Sequence, residues 1–123
     1  MALILVVEDD QNNLELVTRF LRREGHQVLH ALDGSAGVEA AFQHKPDLIV
    51  MDMGLPQMNG WEATSKIREN PETAHTPIVA LTAHAMSEEV AKAIEAGVDT
   101  YELKPVAYQR LMRKIAALVR SEV

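Results

Sequence analysis

Asp47-Leu48-Ile49-Val50-Met51-Asp52-Met53-Gly54-Leu55-Pro56 is the stretch on which the fold turns: four consecutive apolar residues run into a carboxylate, and a glycine and a proline follow at once. An apolar run with no alternating polar face fits a strand buried on both sides, as in a parallel sheet with helices over each face. Gly54 and Pro56 mark an irregular loop beyond its end. A carboxylate at the rim of a core is costly unless it is paired or bound to a metal, so Asp52 calls for a partner.

Working outward, three more runs stop at residues able to take part in phosphoryl chemistry. Residues 2–7 stop at Glu8 and Asp9, residues 78–81 at Thr82, and residues 101–103 at Lys104. As parallel strands they would bring their carboxyl ends to one sheet edge, where open α/β folds place their ligands. Helical patterns fill the gaps. Leu14, Val17 and Leu21 recur at helical spacing in 11–24, with Gly25 as the stop. A second strand is predicted at 26–32, then helices at 35–43 and 59–69 on either side of the third strand at 47–51. Ser87, with Glu88 and Glu89 behind it, reads as the N-cap of a helix running through Ala96 to a stop at Gly97. The fifth strand is predicted at 100–103, and 107–120 closes the chain as an amphipathic helix with Leu111, Ile115, Leu118 and Val119 on one face. The expectation is one α/β domain over 1–123, a doubly wound (βα)5 unit with no effector domain and no repeat or linker.

At 123 residues with no cysteine, the chain can bury a core without disulfides or a structural metal, and cytoplasmic residence is the default expectation. No apolar run approaches the roughly 20 residues needed to span a bilayer. The first residues lack the basic region of a signal peptide and run directly into acids, which favours a buried strand. A formal net charge of −6 and a pI near 5.3 argue against direct nucleic-acid binding, which needs a cationic footprint. The histidines His26, His30, His44, His75 and His84 show no paired metal-ligand spacing and read as mostly solvated.

The acids carry the chemistry. A hard cation such as Mg²⁺ takes oxygen ligands and keeps several waters, so Glu8 and Asp9 after one strand and Asp52 after another suit it. Clustered carboxylates repel, which raises the proton affinity of some of them until a cation arrives. On its own Glu8-Asp9-Asp10 equally reads as a solvated loop with Asp10 capping the next helix. Asp52 reads either as a nucleophile able to form an aspartyl phosphate or as a loop-bonding aspartate. Gly54 carries no side chain to keep its carbonyl from a cation. Lys104 brings a positive charge, and the Pro105 that follows allows a cis bond that would direct it over the crevice. Thr82, next to the small Ala83, offers a hydroxyl.

Taken together, Ile4-Leu5-Val6-Val7-Glu8-Asp9-Asp10, the stretch from Asp47 to Pro56 continued by Gln57-Met58-Asn59-Gly60, Pro77-Ile78-Val79-Ala80-Leu81-Thr82-Ala83, and Lys104-Pro105 resemble the receiver domain of two-component response regulators over essentially the whole chain. The resemblance implies a flavodoxin-like five-stranded parallel sheet of order 2-1-3-4-5. It implies Asp52 as phosphoacceptor, and Mg²⁺, with Mn²⁺ as alternative, on Asp9, Glu8, Asp52 and the Gly54 carbonyl. Thr82 and Lys104 would bind the phosphoryl group, with Thr82 and Tyr101 as the switch. The implied partner is a histidine kinase or histidine phosphotransfer protein, and the implied output is a phosphorylation-dependent change at the helix 4, strand 5, helix 5 face. The implied domain assists its own modification and is not a turnover enzyme. Glu8 in place of an aspartate is a familiar variant, while Gly54 and His84 stand where the family tunes the lifetime of the phosphoryl group. Alternatives are a passive phosphoryl shuttle or sink, and a haloacid-dehalogenase-like phosphatase. The phosphatase would need a second aspartate where Gly54 stands.

Overall fold

The structure, a computed structural model, describes residues 2–83 and 88–120. Within them five strands and five helices alternate: β1 (Leu3–Val7), α1 (Gln11–Arg23), β2 (Gln27–Ala31), α2 (Gly34–His44), β3 (Leu48–Asp52), α3 (Gly60–Glu69), β4 (Ile78–Thr82), α4 (Glu88–Ala96), β5 (Thr100–Leu103) and α5 (Tyr108–Arg120). All strand pairs are parallel and the order is β2-β1-β3-β4-β5. The expected doubly wound sheet of order 2-1-3-4-5 is therefore the one found.

Strand periodicity divides the core. Ile4, Val6, Leu48, Val50, Val79 and Leu81 point to the side covered by α1 and α5, where they meet Leu14, Val17, Leu21, Leu111 and Ile115. Leu5, Val7, Ile49, Met51, Ile78 and Ala80 point the other way, onto Val38 and Ala41 of α2, Ala63 and Ile67 of α3, and Ala93 of α4. Each fully buried aliphatic side chain contributes about 1.5–3 kcal/mol of transfer free energy. That explains why the three central strands are apolar up to Asp52 and Thr82, the polar residues that end β3 and β4. The edge strands β2 and β5 are only partly buried and tolerate Gln27, His30 and Thr100.

Side chains set the helix starts. Asp10 Oδ1 accepts from the N–H groups of Asn12 and Asn13 at 2.8 and 3.1 Å, so Asp10 caps α1. Asp33 accepts from Ala36 N, which starts α2 at Gly34 and not at Ser35. Asn59 accepts from Glu62 N and is the cap of α3, not its first residue. Strand boundaries shift by a residue for similar reasons. Asp47 lies outside β3 and spends its carboxylate on Leu3 N at 2.8 Å, while β3 and β4 each extend to include the polar residue at their end. The cap expected at Ser87 lies outside the described residues.

His26 departs from the solvated reading. It is half-buried, and its Nδ1 accepts a hydrogen bond from Ala2 N at 3.1 Å. Burial holds its pKa below the ordinary value. His30, His44 and His75 are exposed as expected, and His84 lies outside the described residues.

At the amino edge of the sheet, Arg68 ties the loops together. Its guanidinium donates to the carbonyls of Gly97, Thr73 and Thr76 at 2.9, 3.3 and 2.7 Å, and pairs with Asp99 at 3.1 Å. Asp99 also accepts from Ile78 N, the first residue of β4. No helix among the described residues is long and apolar enough to cross a membrane.

Candidate functional site

The carboxyl edge gathers the polar residues. Glu8 follows β1 and is anchored by its own N–H to Ala31 O at 3.0 Å. Its side chain is fully buried, and its Oε2 accepts from Asp10 N at 3.2 Å. Asp52, 4% exposed, ends β3. Its Oδ1 accepts from Gly54 N at 3.3 Å and lies 2.9 Å from Lys104 Nζ. Lys104 Nζ is also 3.5 Å from Glu8 Oε1. The lysine's backbone N–H is held by Thr82 O at 2.9 Å, and the Lys104–Pro105 bond is cis.

Glu8, Asp9 and Asp52 each place a carboxylate oxygen within 4.8 Å of the others. The two readings of the acidic tripeptide therefore divide between its residues: Asp10 caps α1, while Glu8 and exposed Asp9 face Asp52. These acids, with Asn13, Gly54, Ala83 and Lys104, line a cleft of about 260 Å³. Thr82 is buried at the end of β4 and does not line the cleft, whereas its neighbour Ala83 does. Gly54 lies exposed on the rim, and a Cβ there would meet nothing within 4 Å. The local packing therefore does not require glycine at that position. Tyr101 sits half-buried on β5, opposite Ala80 and against the α2–α4 side of the core.

Burial of Glu8 beside a second carboxylate has an electrostatic consequence. Burial, and then the charge of Asp52, push Glu8 up to about 7, against the opposing pull of the Asp10 N–H and Lys104. For Lys104, burial alone would lower the ammonium. The hydrogen bond to Asp52 and the charges of Asp52 and Glu8 outweigh it, and the pKa is raised.

A divalent metal fits this donor set. Glu8 Oε1 is buried with no hydrogen-bond partner, and one lysine faces three carboxylates of hard-oxygen character. A small hard cation would satisfy the orphaned oxygen and the charge together.

Three residues contribute to the site or its surroundings in ways their local sequence does not announce. Asn13 lines the cleft from the first turn of α1. Gly60 packs against the Asp52 backbone. Glu102, inside a run that reads as apolar, is buried and paired with Arg110 and Lys114. Cations eight and twelve positions further along were the available signal, but helical spacing alone does not show that they turn back onto β5.

The family model of the response regulator receiver domain matches residues 4–116, and the chain belongs to that family. It is 34% identical over 119 residues to protein PilH of Pseudomonas aeruginosa, covering 97% of this chain and 98% of that one. It is also 30% identical over 112 residues to the polar-differentiation response regulator DivK of Brucella anthropi, covering 91% of each. Among solved structures, the receiver domain of the sensor histidine kinase PA1611 from Pseudomonas aeruginosa superposes with a TM-score of 0.91 at 33% identity over 96% of this chain and 97% of that one. That structure has a magnesium ion coordinated in its active-site cleft. The protein is thus a receiver domain of two-component signal transduction. Receiver domains bind Mg²⁺ at their acidic pocket and take their signal from histidine kinases or phosphotransfer proteins.

Proposed function

We propose that Asp52 is the phosphoacceptor and that Glu8, Asp9, Asp52 and the Gly54 carbonyl hold the Mg²⁺. The observation that carries the reading is the placement of Asp52: a nearly buried carboxylate at the end of a central strand, opening into the cleft and held by Lys104 at 2.9 Å. Glu8, pushed up to about 7, is a poorer anion at neutral pH. Asp9 is exposed, with water to compete for its lone pairs.

An Asp52 oxygen attacks the phosphorus of a phosphohistidine on the partner; the O–P bond forms as the N–P bond breaks, and the imidazole leaves with the electron pair. The chain contributes position and charge, which is most of what phosphoryl transfer requires of a protein. Gly54 N and Lys104 hold Asp52 oriented, and the Lys104 ammonium is placed to meet a phosphoryl oxygen as charge develops there. A cation held by Glu8, Asp9, Asp52 and the Gly54 carbonyl would supply further positive charge to the transfer. The domain thereby assists its own phosphorylation and hydrolysis without acting as a turnover enzyme.

For output, the Thr82 hydroxyl moves toward the phosphoryl group and Tyr101 follows inward, altering the face made by α4, β5 and α5 around Val90, Tyr101 and Tyr108. The expected face runs over 86–90, Tyr101 and 108–112, of which Met86 and Ser87 lie outside the described residues.

The test is phosphorylation by a small phosphodonor or a cognate kinase. Asp52→Asn should fold and take up no label, and Lys104→Ala should impair phosphorylation-dependent switching more than Mg²⁺ binding. Acid-stable label persisting on the Asn variant would defeat the assignment. Amide shifts induced by beryllium fluoride should reach β5 in the wild type and stop short of it in Thr82→Ala. Shifts confined to the loops around Asp52 in the wild type would leave a passive phosphoryl carrier.

A further inference from the structure

Glu102 is a buried carboxylate that the phosphoryl chemistry does not use. It is 4% exposed, on β5, one residue after Tyr101. Two cations of α5 converge on it: Arg110 Nε lies 3.1 Å from Oε1 and Lys114 Nζ 2.9 Å from Oε2. The Oε2 makes no hydrogen bond, so Lys114 is held there by charge. Its directed N–H goes elsewhere, to the main-chain carbonyl of Tyr101. The same ammonium sits 5.5 Å from the centroid of the Tyr101 ring, within cation–π range. One side chain therefore holds Tyr101 by its backbone and by its ring, and is itself anchored by the neighbouring residue.

A lysine on a free four-carbon stem would gain little by ordering itself over a half-buried ring, because side-chain entropy opposes it. Glu102 removes that objection. A buried carboxylate needs its cations in place, and the ordering of Lys114 is enforced by that need. Arg110 completes the charge balance and leaves Lys114 able to serve two residues. Lys114 does not line the phosphoacceptor cleft.

We infer that Lys114 is a positioning residue for Tyr101: anchored on Glu102, it holds the ring and β5 in the resting arrangement, so that the state of the site is transmitted to α5. The inference rests on the reading in which Tyr101 moves when Asp52 is phosphorylated. An interaction made only in the resting state opposes the switch, and its removal shifts the population toward the active state.

The experiment uses the full chain carrying fluorotyrosine, with the Tyr101 resonance assigned by Tyr108→Phe, titrated with beryllium fluoride in saturating Mg²⁺. The Tyr101 signal of the wild type should move. In Lys114→Met, which keeps the apolar stem, half-saturation should fall by about three- to tenfold, and Lys114→Arg should restore it. The urea midpoint of Lys114→Met should fall on either account, because Glu102 loses a cation, but a purely structural ion pair would leave half-saturation within about twofold. That result overturns the inference while leaving Tyr101 a switch. A wild-type Tyr101 signal that stays still at saturation overturns the switch reading and the inference with it. Should Lys114→Met not fold, Lys114→Gln and Glu102→Gln are read by the same criterion.

Discussion

Gly60 lies directly against the backbone of Asp52: a Cβ built on it would come within 2.3 Å of the Asp52 carbonyl oxygen and 2.7 Å of Met53 Cα. The first turn of α3 is thus packed onto the end of β3, and Gly60 N donates to Met53 O at 3.1 Å. Only hydrogen fits between them. The contact holds the backbone of the residue that carries the carboxylate.

Gly60→Ala should therefore damage stability and site together. The overpacking should cost about 1–3 kcal/mol, read as a lower urea midpoint, and the displaced Asp52 should weaken Mg²⁺ binding. An alanine variant with unchanged midpoint and unchanged Mg²⁺ affinity would show that the loop yields without moving the carboxylate.

Trp61, the next residue, reports on the same junction. It is half-buried in α3 with Lys92 Nζ 5.1 Å from its ring centroid, so its emission should respond to millimolar Mg²⁺ and to beryllium fluoride. Asp9→Ala removes one of three clustered carboxylates and should abolish the Mg²⁺ response while barely changing the fold, because Asp9 is exposed. A flat wild-type titration would count against the metal site.

The raised Glu8 pKa predicts a pH dependence with a definite sign. Glu8 titrates near 7 in the folded, metal-free chain, against an ordinary value of 4.5. Between these values the folded state holds more protons than the unfolded one. Its contribution to stability is fully present below about pH 4.5 and is lost as the pH rises through about 7. For one proton the slope is at most roughly 1.4 kcal/mol per pH unit. The difference in urea stability between wild type and Glu8→Gln should fall across that window, and saturating Mg²⁺ should flatten it by favouring the carboxylate. Mg²⁺ affinity itself should climb with pH up to about 7 and then level off. A rising difference, or one insensitive to Mg²⁺, would contradict the assignment of burial as the cause.

Arg68 separates stability from function. Its replacement by methionine keeps much of the stem but strands the carbonyls of Gly97, Thr73 and Thr76 and the carboxylate of Asp99. A loss of about 2–4 kcal/mol is expected in chemical denaturation. Because these groups lie at the amino edge of the sheet and the acids at the carboxyl edge, Mg²⁺ affinity of the folded variant should stay within about twofold. A large drop in affinity would mean the two edges are coupled.

Much of this molecule is determined by short-range features of the chain. Residues 4–7, 48–51 and 78–81 are apolar without alternation, a pattern that only burial on both faces explains, so the central strands are legible locally. Asp10 and Asn59 are legible as helix starts because a cap acts within three residues of itself. The candidate site was legible for a geometric reason: in a parallel sheet every strand end faces the same edge, and Glu8, Asp9, Asp52, Thr82 and Lys104 each stand at one. What the tertiary structure alone decided involves partners far apart along the chain. Which acid of the tripeptide turns to a helix and which two turn to Asp52 depends on how β1 lies beside β3. The proton affinity of Glu8 depends on burial and on charges 44 and 96 residues away. Glu102 reads as an ordinary acid until α5 folds back and brings Arg110 and Lys114 to it. Arg68 and Gly60 owe their roles to close approaches between separate elements. Periodicity records which face of an element is buried, but charge pairing and close packing arise only where two faces meet.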